Sequence, residues 1–270
     1  MAVSLSAHGV SYAYVPGRPV LRGVSVSLEA GETAFLLGPN GGGKTTLIEC
    51  LSGIRAPGGG EITVDGEPIL VLPPRERARR IGYVPQFHEI AFSYTVWDMV
   101  LMGRAPYVPW LGRPGRDDEA AAARALEALG LGPLRGRPYF TLSGGERRLA
   151  LVARGLAQGA RYLLLDEPDA HLDPANQHRV LTAVRELAAG GLGVAASSHN
   201  PNNALLYGDR VAVLAQGELL TVGAPASVLT KELLSQAYGI PFRVITDRDG
   251  PVAILPQVAA SAGEGRRALT

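Results

Sequence analysis

The sequence predicts an α/β fold: a mainly parallel sheet with helices on both faces, an antiparallel β edge at its start and a mostly helical insertion in its middle. Three observations predict it. Strand-like runs at 33–37, 162–168, 193–199 and 210–214 follow this pattern, with a helical segment between the second and third. A glycine-rich turn joins the first of these runs directly to a helix. Between about 87 and 158 the composition shifts to Ala- and Leu-rich stretches with helical spacing, as in RDDEAAAARALEALGLG.

Taken in order, residues 1 to 37 alternate apolar and polar positions in short runs, with Val24, Val26 and Leu28 in phase, and end in TAFLL. An antiparallel edge feeding a buried strand is expected. The turn Gly38 to Gly43 leads into a helix from Lys44 to Ser52, and Asp65-Gly66 within GGEITVDGEPI marks a tight hairpin. RIGYVPQ at 80–86 reads as a short strand ending at a turn. In the insertion, Asp117, Asp118 and Glu119 suit the positive end of a helix. YLLLDEP at 162–168, GVAASSH at 193–199 and RVAVL at 210–214 read as strands. A helix between the first two starts at Asp173-Pro174, as N-cap and first-turn proline, and stops at Gly190-Gly191. FRVITDRDGPVAILP reads as a small hairpin about Asp249-Gly250, and beyond Gln257 the chain is polar and expected to be loose.

Composition narrows the function classes. A chain of 270 residues, 46% hydrophobic and 19% charged, can bury a core as one large domain or two small lobes. Twenty-six basic against twenty-five acidic residues give a net charge of +1, which argues against a nucleic-acid partner. Cys50, alone, can form neither an internal disulfide nor a cysteine-rich metal site. No leader pattern and no run of 18 apolar residues is seen, so a cytosolic protein is expected that meets a membrane only through a partner.

GPNGGGKT at 38–45 fits G-x-x-x-x-G-K-[ST] and lies between an expected strand and an expected helix, as that motif requires. From this chain's own composition the expected number of chance matches is about 0.003. The residue types follow from phosphate chemistry. Glycines let the backbone over Gly38, Pro39, Asn40, Gly41, Gly42 and Gly43 curl so that its N–H groups, which Pro39 lacks, point inward at an anion, and the helix N-terminus adds partial positive charge. Lys44, one of two lysines in the chain, can reach β and γ phosphates. The Thr45 hydroxyl can ligate Mg²⁺, and Thr46 offers a further hydroxyl. This is a P-loop NTPase core. Asp166, at the end of YLLL, is the carboxylate expected to hold Mg²⁺ through its water shell. Glu167 is read as the general base, on the argument that adjacent strand residues point to opposite sides.

With LSGGE at 142–146 standing about 20 residues before LLLDEP, the chain resembles the nucleotide-binding subunits of ABC transporters over residues 3 to about 245. The ordered matches are Tyr14 in YAYVPGRPVL, GPNGGGKTT, Gln86 in VPQ, LSGGE, LLLDEP, HLD at 171–173 and His199 in SSHN. The resemblance implies a RecA-like P-loop core and a role for each. Tyr14 would stack on adenine, Tyr12 being the less favoured candidate and a plain edge-strand tyrosine the alternative. Gln86 would touch Mg²⁺ and the attacking water. His199 would bond the γ phosphate and orient Glu167. Ser143, Gly144 and Gly145 would offer N–H groups to the γ phosphate of a second copy, Ser143 with Glu146 also forming a capping box. Asp173 would contact that copy too, so that two chains sandwich two ATP molecules. Three departures stand out: Arg148 where many relatives carry Gln, Asn200 where Asp is usual, and PDAH where PTSA or similar is common.

TVWDMVLMGRAPYVPWLGR, above all VLMGRAPY at 100–107, resembles importer subunits serving iron-siderophore, haem and cobalamin uptake. ANQ at 175–177 and SHNPNNAL at 198–205 resemble relatives handling molybdate or tungstate. The resemblance thus implies an ATP-hydrolysing subunit of a metal-chelate importer, peripheral on the cytoplasmic face of the membrane. Its two permease subunits would dock near 87–107, where Phe87, Phe92, Tyr94, Trp97, Met99, Met102 and Tyr107 gather, the alternative for any one of them being the core of the helical lobe, with a substrate-binding protein acting indirectly. The expected organisation is a nucleotide-binding core of 1–86 and 159–245, a helical signature lobe of 87–158, and a hairpin with a loose tail at 246–270. The alternatives are a soluble non-transport ABC ATPase, against which stand the single cassette and short insertion, and a nucleotide-binding regulator without turnover, against which stands Glu167.

Overall fold

The computed structural model describes residues 4–86, 93–248 and 250–257. The alternating start folds as two long strands, β1 (Ser4–Val15) and β2 (Arg18–Glu29), followed by the fully buried β3 (Thr33–Leu37) and by α1 (Lys44–Leu51). Then come β4 (Gly59–Val64), β5 (Glu67–Pro68), α2 (Pro74–Arg80) and β6 (Ile81–Val84). The middle of the chain holds α3 (Val96–Leu101), α4 (Arg116–Ala128) and α5 (Gly144–Ala157), joined by short 3₁₀ turns, with no named strand among the described residues from 93 to 161. The remainder is β7 (Tyr162–Leu165), α6 (Pro174–Ala189), β8 (Gly193–Ser198), α7 (Pro201–Tyr207), β9 (Arg210–Ala215), β10 (Glu218–Gly223), α8 (Pro225–Val228), α9 (Lys231–Tyr238), β11 (Phe242–Thr246) and β12 (Pro251–Pro256).

These strands form an antiparallel sheet in the order β2-β1-β4-β5, a six-stranded sheet in the order β10-β9-β3-β8-β7-β6, and the hairpin β11-β12. In the six-stranded sheet only β10 runs antiparallel; β3 pairs in parallel with β8 and β9, β7 with β8 and β6. Because side chains alternate across a strand, β3 feeds two cores. Phe35 and Leu37 join the face covered by α3 to α6, whereas Ala34 and Leu36 join Leu47, Ile48 and Leu51 of α1 and the antiparallel sheet. Burial on both faces is why TAFLL carries no polar alternation.

Register then makes the site. Leu37 of β3 lies opposite Ser198 of β8, Leu165 of β7 lies opposite Ala196 of β8, and Val84 of β6 lies opposite Leu165. Four parallel strands therefore end along one edge, and the residues leaving it are Gly38, His199, Asp166 and Pro85, with Gln86 one position beyond. An edge where parallel strands end is where open α/β sheets bind ligands.

Three elements differ from the sequence expectation. The helix α2 has no buried residue, so PRERARR carries no apolar period to announce it; its signals are Pro74 at the first position and basic residues at the end. β7 stops at Leu165, before the carboxylates. The terminal hairpin begins at Phe242, which is buried, so pairing crosses the 245/246 boundary drawn from sequence. It packs on α7, where the Asn202 side chain donates to the Ile254 carbonyl at 2.9 Å and accepts from the Ile254 N–H at 2.8 Å. Of the hairpin tip, Asp249 lies outside the described residues, as does the tail from 258.

Candidate functional site

The loop from Gly38 to Gly43 is forced by its glycines. At Gly38 a side chain would collide with the Leu214 carbonyl of β9, and Gly43, the residue before α1, has φ 100°, which a side chain resists. No side chain caps α1, so its first-turn N–H groups are left for a ligand. Lys44 is buried at 5% exposure, its ammonium folded back to donate to the carbonyls of Gly38 and Pro39, both at 2.9 Å. Burial pushes its pKa below the ordinary lysine value, opposed by the charges of Glu167, Asp166 and Asp169.

Thr45 Oγ1 donates to Asp166 Oδ1 at 3.1 Å, and Ser197 Oγ donates to the same oxygen at 2.6 Å. The Ser197 hydroxyl also accepts from the Glu167 N–H at 2.9 Å, so one buried serine on β8 fixes both members of the carboxylate pair. Glu167 has φ 44°, a left-handed conformation that costs a residue with a side chain about 1 to 2 kcal/mol. This turn, and not strand alternation, directs its carboxylate. Oε2 accepts from Gln86 Nε2 at 2.8 Å, and Oε1 lies 3.8 Å from His199 Nδ1, beyond hydrogen-bond length.

A cavity of about 470 Å³ is lined by Tyr14, Asn40, Gly41, Gly43, Lys44, Thr45, Thr46, Gln86 and Glu167. Asp166, 2% exposed, sits beneath it behind Thr45. Beside it, a second cavity of about 450 Å³ is lined by Pro39, Asn40, His199, Asn200 and Tyr238. His199 is half exposed there, and its carbonyl accepts from the Tyr238 hydroxyl at 3.0 Å. Tyr14 is 51% exposed, its hydroxyl 3.1 Å from Thr46 Oγ1. The Arg55 guanidinium lies 4.6 Å from the Tyr14 ring centroid and Tyr12 meets that ring edge-on at 5.0 Å, so one side of the aromatic platform is already occupied.

Ser143, Gly144, Gly145 and Asp173 do not line the phosphate-loop cavity. They are grouped with one another: a side chain at Gly144 would touch Leu172, and one at Gly145 would collide with Asn176 of α6. Ser143 Oγ accepts from the Glu146 N–H at 3.3 Å while Glu146 accepts from the Ser143 N–H at 2.8 Å, the full capping box. That backbone bond holds the Glu146 carboxyl below its ordinary value. Asp173 caps α6 by accepting from the Asn176 N–H at 3.0 Å, which lowers its pKa in the same way. Asn200 caps α7, accepting from the Asn202 N–H, a role asparagine fills as well as aspartate.

Sequence reading missed Ser197, Arg55 and the bonds of Arg148. Ser197 sits in a wholly buried strand, where a hydroxyl must find a partner; that was the available signal. Among the described residues, no cluster of three or more His, Cys, Asp or Glu side chains could by itself hold a metal ion. No helix among them is long and apolar enough to cross a membrane.

Residues 21–170 match the ABC transporter family. Along nearly its whole length the chain is similar to the hemin import ATP-binding protein HmuV of Myxococcus xanthus, 41% identical with 99% of this chain and all of the relative covered. It is also similar to the HmuV of Deinococcus radiodurans, at 42% identity over 87% of this chain and 90% of the relative. Among solved structures, a metal-chelate type ABC transporter in an inward-facing conformation superimposes with a TM-score of 0.83 at 31% identity, covering 96% of this chain and 98% of the other. An ATP-binding cassette of an ABC transporter in its ADP conformation gives 0.78 at 26% identity, with 88% and 98% covered. The chain belongs to the ABC transporter family, as an ATP-binding subunit and an ATPase.

Proposed function

We propose that this ATPase powers import of hemin or a closely related metal chelate. The observation that carries the proposal is similarity at about 40% identity to hemin import subunits over nearly the whole chain. In this reading, the triphosphate lies in the Gly38–Gly43 loop, Lys44 turns from the loop carbonyls toward β and γ oxygens, and the adenine stacks on the face of Tyr14 away from Arg55. The donor set of Thr45 and Gln86, with Asp166 behind, is all oxygen and hard, which suits Mg²⁺ completed by phosphates and water. Bound there, Mg²⁺ would neutralise phosphate charge. Glu167 accepts the proton of the attacking water, with Gln86 holding one carboxylate oxygen; His199, 3.8 Å from the other, makes no hydrogen bond to it here and would have to move closer to orient Glu167 or reach the γ phosphate.

The separation of Ser143, Gly144, Gly145 and Asp173 from the phosphate-loop cavity supports an ATP sandwich in which a second copy supplies them. A groove of about 490 Å³ lined by Tyr94, Asp98, Leu101, Met102, Val108 and Trp110 supports permease docking on the helical segments. Trp110 is 90% exposed beside it, an aromatic ready for a partner. Of the docking stretch expected from sequence, residues 87–92 lie outside the described residues, and Met99 is fully buried in the core of the helical segments and so is no part of a docking surface. The protein would then sit peripherally on the cytoplasmic face, held by its two permease subunits.

The test is to isolate the chain with its membrane partners, reconstitute them in vesicles with their binding protein, and measure ATP-driven uptake of hemin, a ferric siderophore and cobalamin. Hemin uptake that stops with Glu167→Gln supports the proposal. Uptake of another chelate alone replaces the substrate, and purification free of membrane partners overturns the importer reading.

A further inference from the structure

Arg148 points from the second turn of α5 into the interior and is 7% exposed. Its Nη1 donates to the carbonyls of Pro85 at 2.8 Å and Gln86 at 3.2 Å, its Nε donates to the Pro168 carbonyl at 3.3 Å, and its Nη2 donates to the Asp166 carbonyl. All four acceptors are backbone oxygens, and none belongs to α5. They come from the two segments that leave β6 and β7, which carry Gln86 on one side and Asp166 and Glu167 on the other. Between those same segments runs the Gln86 to Glu167 side-chain bond of 2.8 Å. Asp166 and Asp169, at 2% and 3% exposure, provide the negative charge that makes a buried guanidinium tolerable.

A guanidinium has five N–H donors in a rigid plane, so carbonyls bonded to its two edges are held at a fixed spacing. Here the two edges hold different segments. We propose that Arg148 is a positioning residue for hydrolysis, setting the distance between the Gln86 segment and the Asp166–Pro168 segment and tying both to the helix that carries the LSGGE motif. A shift of α5 relative to the sheet, as a permease or a second copy would impose, is thereby passed to the Gln86–Glu167 pair through the backbone. Glutamine at 148 has two donors on one nitrogen and a shorter reach; it can bond one segment but cannot bridge both. Lysine keeps the charge but loses the plane.

The proposal rests on the roles given above to Gln86 and Glu167. Its test is turnover and fluorescent-ATP affinity of the purified full chain carrying Arg148→Gln or Arg148→Lys, each also combined with Gln86→Ala. Either single substitution is expected to lower kcat at least tenfold with ATP affinity within threefold of wild type. In the Gln86→Ala background the same change is expected to cost less than threefold, because the pair it positions is already gone. Unchanged kcat, affinity lost in parallel with kcat, or losses that multiply in the double variants would each overturn the proposal. Should thermal melts show Arg148→Gln unfolded, Arg148→Lys carries the same test. If Glu167→Gln itself turns over normally, the reading of the site fails; if Glu167→Gln is slow and both Arg148 variants are fast, only the positioning role fails.

Discussion

Replacing Glu167 by Gln is the sharpest probe of the site, because it changes charge and basicity while leaving shape. The Gln86 amide donates to Glu167 Oε2 at 2.8 Å, and a glutamine oxygen can accept that bond. The Glu167 N–H bond to Ser197 is backbone-derived and survives. What changes is that a charged acceptor becomes a neutral one, a difference of about 1 kcal/mol for a single hydrogen bond. The left-handed backbone at φ 44° is equally strained in both proteins, so stability should stay within about 1 kcal/mol of wild type. Turnover should not. An amide cannot take a proton from water, and losing a positioned general base removes roughly 10² to 10⁴ in rate, or about 2.7 to 5.5 kcal/mol of barrier. The assay is phosphate release at saturating ATP and Mg²⁺, paired with ATP affinity and thermal melting, and light scattering should show a dimer accumulating with ATP. Turnover within threefold of wild type would refute the general-base assignment. Slow turnover accompanied by lost ATP affinity would refute the claim that the residue acts after binding.

Lys44→Ala should abolish measurable ATP binding in titration calorimetry, because it removes the cation of the phosphate loop and leaves the carbonyls of Gly38 and Pro39 without their donor; undiminished affinity would contradict the site. Ser143→Arg should block hydrolysis in the full chain while a monomer still binds ATP, since the proposed sandwich has Ser143 acting across to a second copy; normal turnover would exclude the sandwich. Met102→Asp, at a groove residue 38% exposed, should weaken permease capture in detergent at unchanged ATP affinity; intact capture would remove this groove from the interface. The Glu146 carboxyl is held below its ordinary value of 4.5 by the Ser143 N–H. The stabilisation is therefore present above pH 4.5 and lost as pH falls through the depressed value. Melting of wild type against Glu146→Gln should show a gap at pH 7 that closes below 4.5; a gap independent of pH would show that the carboxylate charge plays no part.

Much of the site was legible because its residues obey local rules. Gly43 is needed for its backbone angle, Ser143 and Asp173 for capping a helix that begins at the next residue, and each rule is written within a few positions of sequence; the cap made by Asn200 on α7 was not read from sequence. The parallel core was legible for a related reason, since TAFLL and GVAASS are runs that only a doubly covered strand can bury. At Glu167 the geometric reason fails: strand alternation was the argument, yet the strand ends at Leu165 and a left-handed residue does the aiming.

The illegible part consists of bonds to backbone carbonyls far away in sequence. Every residue offers a carbonyl, so nothing in the letters at 85, 86, 166 and 168 marks them as the acceptors of Arg148. The same holds for the Tyr238 hydroxyl on the His199 carbonyl and for Asn202 on the backbone of Ile254. Of these three contacts, the first two tie exits of the parallel sheet to α5 and α9, and the third ties α7, the helix that follows the exit of β8, to the terminal hairpin. The phosphate chemistry is encoded locally, in side chains that any P-loop needs. In the proposed role of Arg148, the coupling of that chemistry to α5 would run through backbone carbonyls, where substitution leaves the motifs intact and changes how firmly the sheet exits are held.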